Sequence, residues 1–472
     1  TGSDNTAVGK SALEQNTTGG SNTAVGEGAL KANTTASNNT GLGKDALEVN
    51  TTGTNNVSVG DFSMNSNTTG SSNTVVGSGA LDSNTTADHN TAIGRNALGV
   101  NTTGGDNVAV GSGTLDANTT GTYNTGVGKS ALTSLTTGSN NVAIGRVAME
   151  LAQTSYNSVA VGVRSLDANL SGGYNTAVGD GALSAYTGSE NTAVGGNALA
   201  VCTTGHDNTG LGVNALAAAT TGAENTALGN DTLRNVTTGN QNTAVGSLSS
   251  DSVTTGVENT ALGYKSLTNN TTGNYNTACG YAAARDLSSG SSNTCLGINA
   301  GLNLSTGDNN TLLGTNAGRS SSPSGTVNDE SNIVCLGNDA VTSLFCADTS
   351  ISSSDSRDKT DVTDFTKGLE WIKALRPVTY RWDKRSWYGT EEEPYGTPDG
   401  SKKRTKKHIG FLAQEALEVE KANGYGTSND DSLVVNLTED GMRYGIKYER
   451  LVPILVNAIK ELETRLAAVE AA

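Results

Sequence analysis

Hydrophobic residues recur along the first two thirds of the chain in one fixed phrase, a short apolar run N-T-A-V-G, then A-L, then the polar turn N-T-T-G. Aligned on the Gly that closes the first phrase, the copies fall at Gly9, Gly26, Gly43, Gly60 and so on to Gly179, each 17 residues apart. One 16-residue step leads to Gly195, where Tyr186-Thr187-Gly188 replaces N-T-T-G. The period then resumes through Gly314, and a degenerate copy ends at Gly337 after an insertion carrying Pro323. Self-similarity at a fixed short period is the mark of a stacked repeat architecture.

Within the unit, T-A-V is β-prone and the Gly after it suits a tight corner. A-L predicts a second short element, either a strand or a single helical turn, and N-T-T-G predicts a turn. One unit has too few apolar groups to bury them alone, so the repeats predict a β-solenoid whose coils share a core. Asn5, Asn22, Asn39, Asn56, Asn73, Asn90, Asn107, Asn124 and Asn141 then fall in register and predict an amide ladder along the axis. At about 4.8 Å per coil, nineteen coils span on the order of 90 Å. A 17-residue coil is thin, and its apolar content points to three parallel chains sharing the core about a threefold axis.

Composition fits this reading. Only 34% of the 472 residues are hydrophobic and 4% aromatic, while Gly alone contributes 60. Such a composition otherwise signals disorder, against which the strict period argues. Net charge is −16, of which residues 1–354 carry −14, with 11 Lys/Arg against 25 Asp/Glu. An acidic shaft has no basic stripe for nucleic acid, and no apolar run approaches a membrane span, so neither partner is expected. The five cysteines form no CxxC pair, and with three His no metal-ligand spacing arises, so neither a metal nor a cofactor is expected. Cys279 and Cys295 stand where other repeats have Val or Leu, and both read as small buried hydrophobes. The Asn-Thr-Thr triplets match a glycosylation acceptor but at this density read as turns and ladders. An ice-binding face would need a flat Thr array, and these Thr pairs sit beside turn Gly. The chain starts mid-repeat without Met, so an upstream region is expected.

Near Ile351 the pattern changes. All three Trp and four of the five Pro lie beyond it, with a higher charge density. The reading is therefore a shaft over 1–319, a degenerate last repeat and linker over 320–353, and an α+β domain over 354–472. Three phrases stand out in that domain: Ser354-Asp355-Ser356-Arg357-Asp358-Lys359, then Leu375-Arg376-Pro377-Val378-Thr379-Tyr380-Arg381-Trp382, then His408-Ile409-Gly410-Phe411-Leu412-Ala413-Gln414-Glu415 with Tyr448-Glu449-Arg450-Leu451-Val452-Pro453 following. In this order they resemble the intramolecular chaperone auto-processing domain that ends phage endosialidases, other tailspikes and tail fibres. The shaft repeats resemble, more loosely, the head repeats of trimeric autotransporter adhesins, as in Asn157-Ser158-Val159-Ala160-Val161-Gly162.

The first resemblance implies a trimeric chaperone that folds the preceding stalk and then cuts itself off by a Ser–Lys dyad, carried here by Ser354 and Lys359. Asp355 and Arg357 would shape the turn. Lys359 would take the proton of Ser354 Oγ, which attacks an adjacent carbonyl. The Ser353 carbonyl is reached through a five-membered ring, and attack at Ser354–Asp355 needs another chain or a water, so the bond cut is left open beside Ser354. Five residues apart, the pair lies about 140° apart on a helix and on opposite faces of a strand, so a bent loop or a contact between chains must join them. Independently, Val452, Leu455, Ile459, Leu462, Leu466 and Val469 keep 3,4 spacing and predict a short parallel coiled coil over 449–472. The basic run Lys402-Lys403-Arg404-Thr405-Lys406-Lys407 is expected to form an arm reaching back along the acidic stalk.

Together these features point to a homotrimeric phage tail fibre, made in the host cytoplasm and carried on the virion. Its expected partners are other tail proteins and a host surface receptor, glycan or protein. Single-turnover self-cleavage would be its only catalysis. A depolymerase tailspike would need paired carboxylates in a cleft, which could only lie upstream, and a bacterial surface adhesin would carry a membrane anchor.

Overall fold

The computed structural model describes residues 2–341, 359–389, 395–428, 431–437 and 444–471. Two compact units divide between Thr342 and Ser343. The first is a parallel β-solenoid of twenty three-residue strands, one per coil, from β1 (Thr6–Val8) to β20 (Val334–Leu336). Each strand pairs in parallel with the next coil's strand, so Thr6 stands on Thr23 and Thr23 on Thr40. Register survives both irregularities. Across the 16-residue step Thr176 still pairs with Thr192, and across the insertion Thr311 pairs with Val334.

Two features of the repeat fill each coil. The middle residue of the strand points inward and is small, commonly Ala as at Ala24 and Ala160, while the A-L pair of the opposite turn fills the remaining space, as Ala29 and Leu30 do. Volumes are exchanged between the two sides. Where the strand carries Cys295 and Leu312, the usual turn Leu is replaced by Gly301 and Gly318. A Cβ at Gly301 would lie 2.5 Å from Cys295 Sγ, and one at Gly318 would lie 2.9 Å from Leu312 Cδ1. The core is thus complete inside one chain, with these residues fully buried. That corrects the expectation that three chains share it: the thin coil is filled because a small residue faces a large one.

The A-L segment is neither a strand nor a helical turn. Its Leu adopts the left-handed region in coil after coil, for example Leu30 (φ 51°) and Leu98 (φ 55°), which folds the backbone tightly enough to aim the side chain inward. The corner Gly is required twice over. Gly212 has φ +141°, and a Cβ there would lie 2.2 Å from the carbonyl oxygen of Gly229 in the next coil.

The Asn ladder forms, in a form richer than expected. The Asn before each strand accepts the backbone N–H of the Asn one coil on, as Asn22 N–H donates to Asn5 Oδ1 (2.9 Å), while its own amide donates to a turn carbonyl, as Asn22 Nδ2 does to Ala36 (2.9 Å). A second ladder runs through N-T-T-G, from Asn33 onto Asn16 (3.1 Å) as far as Asn118 onto Asn101 (2.8 Å). It stops because the next coil has Leu135, leaving Asn118 Oδ1 buried without a partner. The first Thr of each triplet joins in, as Thr51 Oγ1 donates to the Thr68 carbonyl (2.9 Å).

The cysteines divide by strand position. Cys295 is second in β18 (Thr294–Leu296) and buried, and that burial pushes its thiol up to about 12. Cys279 is third in β17 (Thr277–Cys279) and exposed, which corrects its reading as a buried hydrophobe. Adjacent strands in register put the two on opposite faces.

Among its described residues the second unit has three helices, α1 (Leu369–Ala374), α2 (Ala413–Ala422) and α3 (Leu451–Glu470). It also has two antiparallel pairs, β21 (Val378–Tyr380) with β22 (His408–Gly410) and β23 (Val435–Leu437) with β24 (Tyr444–Ile446). Its core gathers Trp371, Val434, Leu451 and Ile454, with Phe365, Phe411 and Tyr425 packed around them. No described helix is long and apolar enough to cross a membrane.

Candidate functional site: the C-terminal unit

The second and third C-terminal phrases and the Tyr448 segment fold into one structure. Pro377 cannot continue α1 and sends the chain into β21, whose Val378, Thr379 and Tyr380 pair with Gly410, Ile409 and His408 of β22. Tyr380 stacks on His408, ring centres 5.6 Å apart. Arg376, just before β21, grips Glu415 in the first turn of α2 through both guanidinium branches, with Nε 3.0 Å from Oε2. That pairing holds the Glu415 carboxyl below its ordinary range.

Tyr448 opens the last phrase and ties it to the third. Its hydroxyl accepts the Phe411 N–H (3.1 Å), and its ring stacks on Phe411 at 6.0 Å. Gly410 is needed there, because a Cβ would lie 2.5 Å from the Tyr448 hydroxyl. After one 3₁₀ turn at Tyr448–Arg450 the chain enters α3, which is fixed to the start of the unit. Asn457 Nδ2 donates to the Phe365 carbonyl (2.6 Å), and the Leu369 N–H donates to Glu461 Oε2 (3.1 Å).

Helix α3 is apolar on two stripes. Leu451, Ile454 and Ala458 are buried against its own unit. One step round the helix, the six seam residues Val452, Leu455, Ile459, Leu462, Leu466 and Val469 are all exposed, from 43% at Leu455 to 73% at Val469. Packing within one unit therefore accounts for the first stripe and leaves the second without a partner among the described residues.

Glu420 is a residue of the unit's framework that sequence spacing missed. It is fully buried near the end of α2 and accepts backbone N–H donors from Leu433, Val434 (3.0 Å) and Val435 (3.0 Å). One carboxylate thus organises the turn leading into β23. Nothing in the sequence marked it, since α2 carries Glu415, Glu418 and Glu420 and composition alone does not say which of them is buried.

Of the expected dyad, Lys359 is described and exposed, whereas Ser354, Asp355 and Arg357 lie outside the described residues. Within the basic run, the Lys402 N–H donates to the Tyr388 hydroxyl (2.8 Å) and the Arg404 guanidinium lies over the Trp387 ring at 5.2 Å. These two residues thus fold back onto the 382–388 segment of their own unit.

A long parallel β-solenoid followed by a small α+β unit ending in a helix is an architecture that fits a phage tail fibre or tailspike. Residues 354–425 match the family described as the chaperone of endosialidase. The match takes in the S-D-x-R-x-K string, the β21–β22 pair and α2, and ends before β23. No curated protein matches the chain.

Proposed function

We propose that the chain is the subunit of a homotrimeric phage tail fibre, its solenoid forming the shaft that carries host attachment and its C-terminal unit directing assembly of three shafts. The observation that carries the reading is the second stripe of α3: six heptad positions exposed on a helix whose other stripe is already packed. Exposed apolar patches of this regularity mark association surfaces, and 3,4 spacing sets that association as a parallel coiled coil. Other tail proteins and a host surface receptor would be its partners, and the virion its place.

In the same reading Ser354 and Lys359 cut the chaperone away once assembly has brought them together. Lys359 Nζ takes the Ser354 Oγ proton as Oγ adds to the neighbouring carbonyl carbon. The peptide C–N bond breaks with the proton passing to the leaving amine, and water then hydrolyses the ester. Intact-mass measurement of the wild-type chain beside Ser354→Ala and Lys359→Ala tests this step. The expected result is release of the C-terminal fragment in the wild type only. A fragment released equally from all three, or from none, overturns the dyad.

A further inference from the structure

In each coil the strand's middle residue faces the core, so the first and third residues face outward. The third is aliphatic in nineteen of the twenty strands and is Cys279 in the other, yet it is nowhere buried in the single chain. Val8 is 59% exposed, Leu211 49% and Leu262 39%. The first residue is Thr or Val throughout. No strand residue carries a charge, although residues 1–354 have a net charge of −14. The position just past the corner Gly is constrained far less. It holds Lys10, Glu27, Asp61, Arg95, Val213 and Tyr264 in different coils.

A surface position held aliphatic over the whole shaft, beside one that varies freely, needs a reason beyond the single chain's fold. We infer that this strand face is the seam along which the shafts of neighbouring copies meet. The inference rests on the three-chain reading above and adds to it the surface used. A partner must be as long as the shaft, must repeat every 17 residues and must tolerate a strongly acidic neighbour. A second copy of this chain meets all three conditions, and bringing charge-free faces together keeps the like charges of both shafts outside the contact. Size agrees: nineteen steps of about 4.8 Å by three residues of about 3.3 Å give roughly 900 Å², against about 800 Å² per partner in a stable interface.

Cys279 lies on this face and serves as the reporter. In the full chain carrying Cys346→Ser, with Cys202, Cys295 and Cys335 buried, native mass is measured and Cys279 is treated with a maleimide and, separately, with a short bis-maleimide. The exposed reference is a thiol introduced by Thr238→Cys in the Val236-Thr237-Thr238-Gly239 turn, in a Cys279→Ser background. The expected result is a three-chain particle in which Cys279 labels at least about tenfold more slowly than the reference and crosslinks between chains. A three-chain particle whose Cys279 labels as fast as the reference, with no interchain product, overturns the seam while leaving the trimer standing, and would point to another occupant such as a solid surface. A one-chain particle overturns both.

Discussion

Removing one rung of the Asn ladder tests how the shaft is held. Asn225 Oδ1 accepts the Asn242 N–H (3.0 Å) and Asn242 Nδ2 (3.1 Å), while its own Nδ2 donates to the Gly239 carbonyl (2.9 Å). Asn225→Ala leaves the buried Asn242 N–H without an acceptor and takes the amide donor from Gly239, while Asn242 Nδ2 keeps the Gly256 carbonyl (2.8 Å). At about 1–3 kcal/mol for each buried group stripped of its partner, the loss is about 3 kcal/mol. Because coils of a solenoid interact only with their neighbours, the effect is local. Amide hydrogen exchange should therefore quicken roughly 100-fold around Asn242 and stay at wild-type rates several coils away. Asn230→Ala is the control, since its amide makes only a long exposed bond to the Val213 carbonyl (3.4 Å). A change at Asn242 no larger than the control's would show that the ladder does not hold the coils. Ser158 is a natural weakened rung, its hydroxyl accepting the Asn175 N–H at 3.3 Å, so Asn225→Ser should fall between the two.

Three further outcomes are expected. Glu420→Ala strips the carboxylate from three backbone donors and should destabilise the C-terminal unit by on the order of 3–5 kcal/mol, read by thermal melting of Trp fluorescence, with Glu420→Gln intermediate. Gly212→Ala forces a Cβ to 2.2 Å from the next coil's carbonyl and should cost more than about 2 kcal/mol, visible as exchange opening confined to the neighbouring coils. Burial raises the carboxyl pKa of Asp167, with Glu150 adding to it, so the folded shaft holds this proton to higher pH than the unfolded chain. Its contribution to stability therefore falls as pH rises from the unfolded carboxyl range through the raised value. Asp167→Asn should raise the melting temperature at pH 7 and lose that advantage as pH falls below the unfolded carboxyl range.

Much of this was legible in the sequence because stacking makes the fold one-dimensional: a fixed period, an in-register Asn and a corner Gly define each coil. The second and third C-terminal phrases and the Tyr448 segment were legible as a set, and their pairing through β21, β22 and Tyr448 explains why they occur together. What stayed hidden depended on which way a side chain points. A three-residue strand turns Cys295, at the middle position, inward and Cys279, at the third, outward, a difference of one residue within the same phrase. The closed core was hidden because it depends on Leu residues taking a left-handed conformation that apolar pattern does not encode. Glu420 was hidden because a buried carboxylate and a solvated one look alike along a helix.

Under the proposed function, the C-terminal helix gathers three chains. The most direct test is the native mass of the wild-type chain beside Ile459→Asp with Leu462→Asp, two substitutions on the exposed stripe of α3 that leave Leu451, Ile454 and Ala458 in place. The expected result is a three-chain mass for the wild type and its loss in the variant. A wild-type chain that runs as a single copy, or a variant that still assembles three, would contradict it.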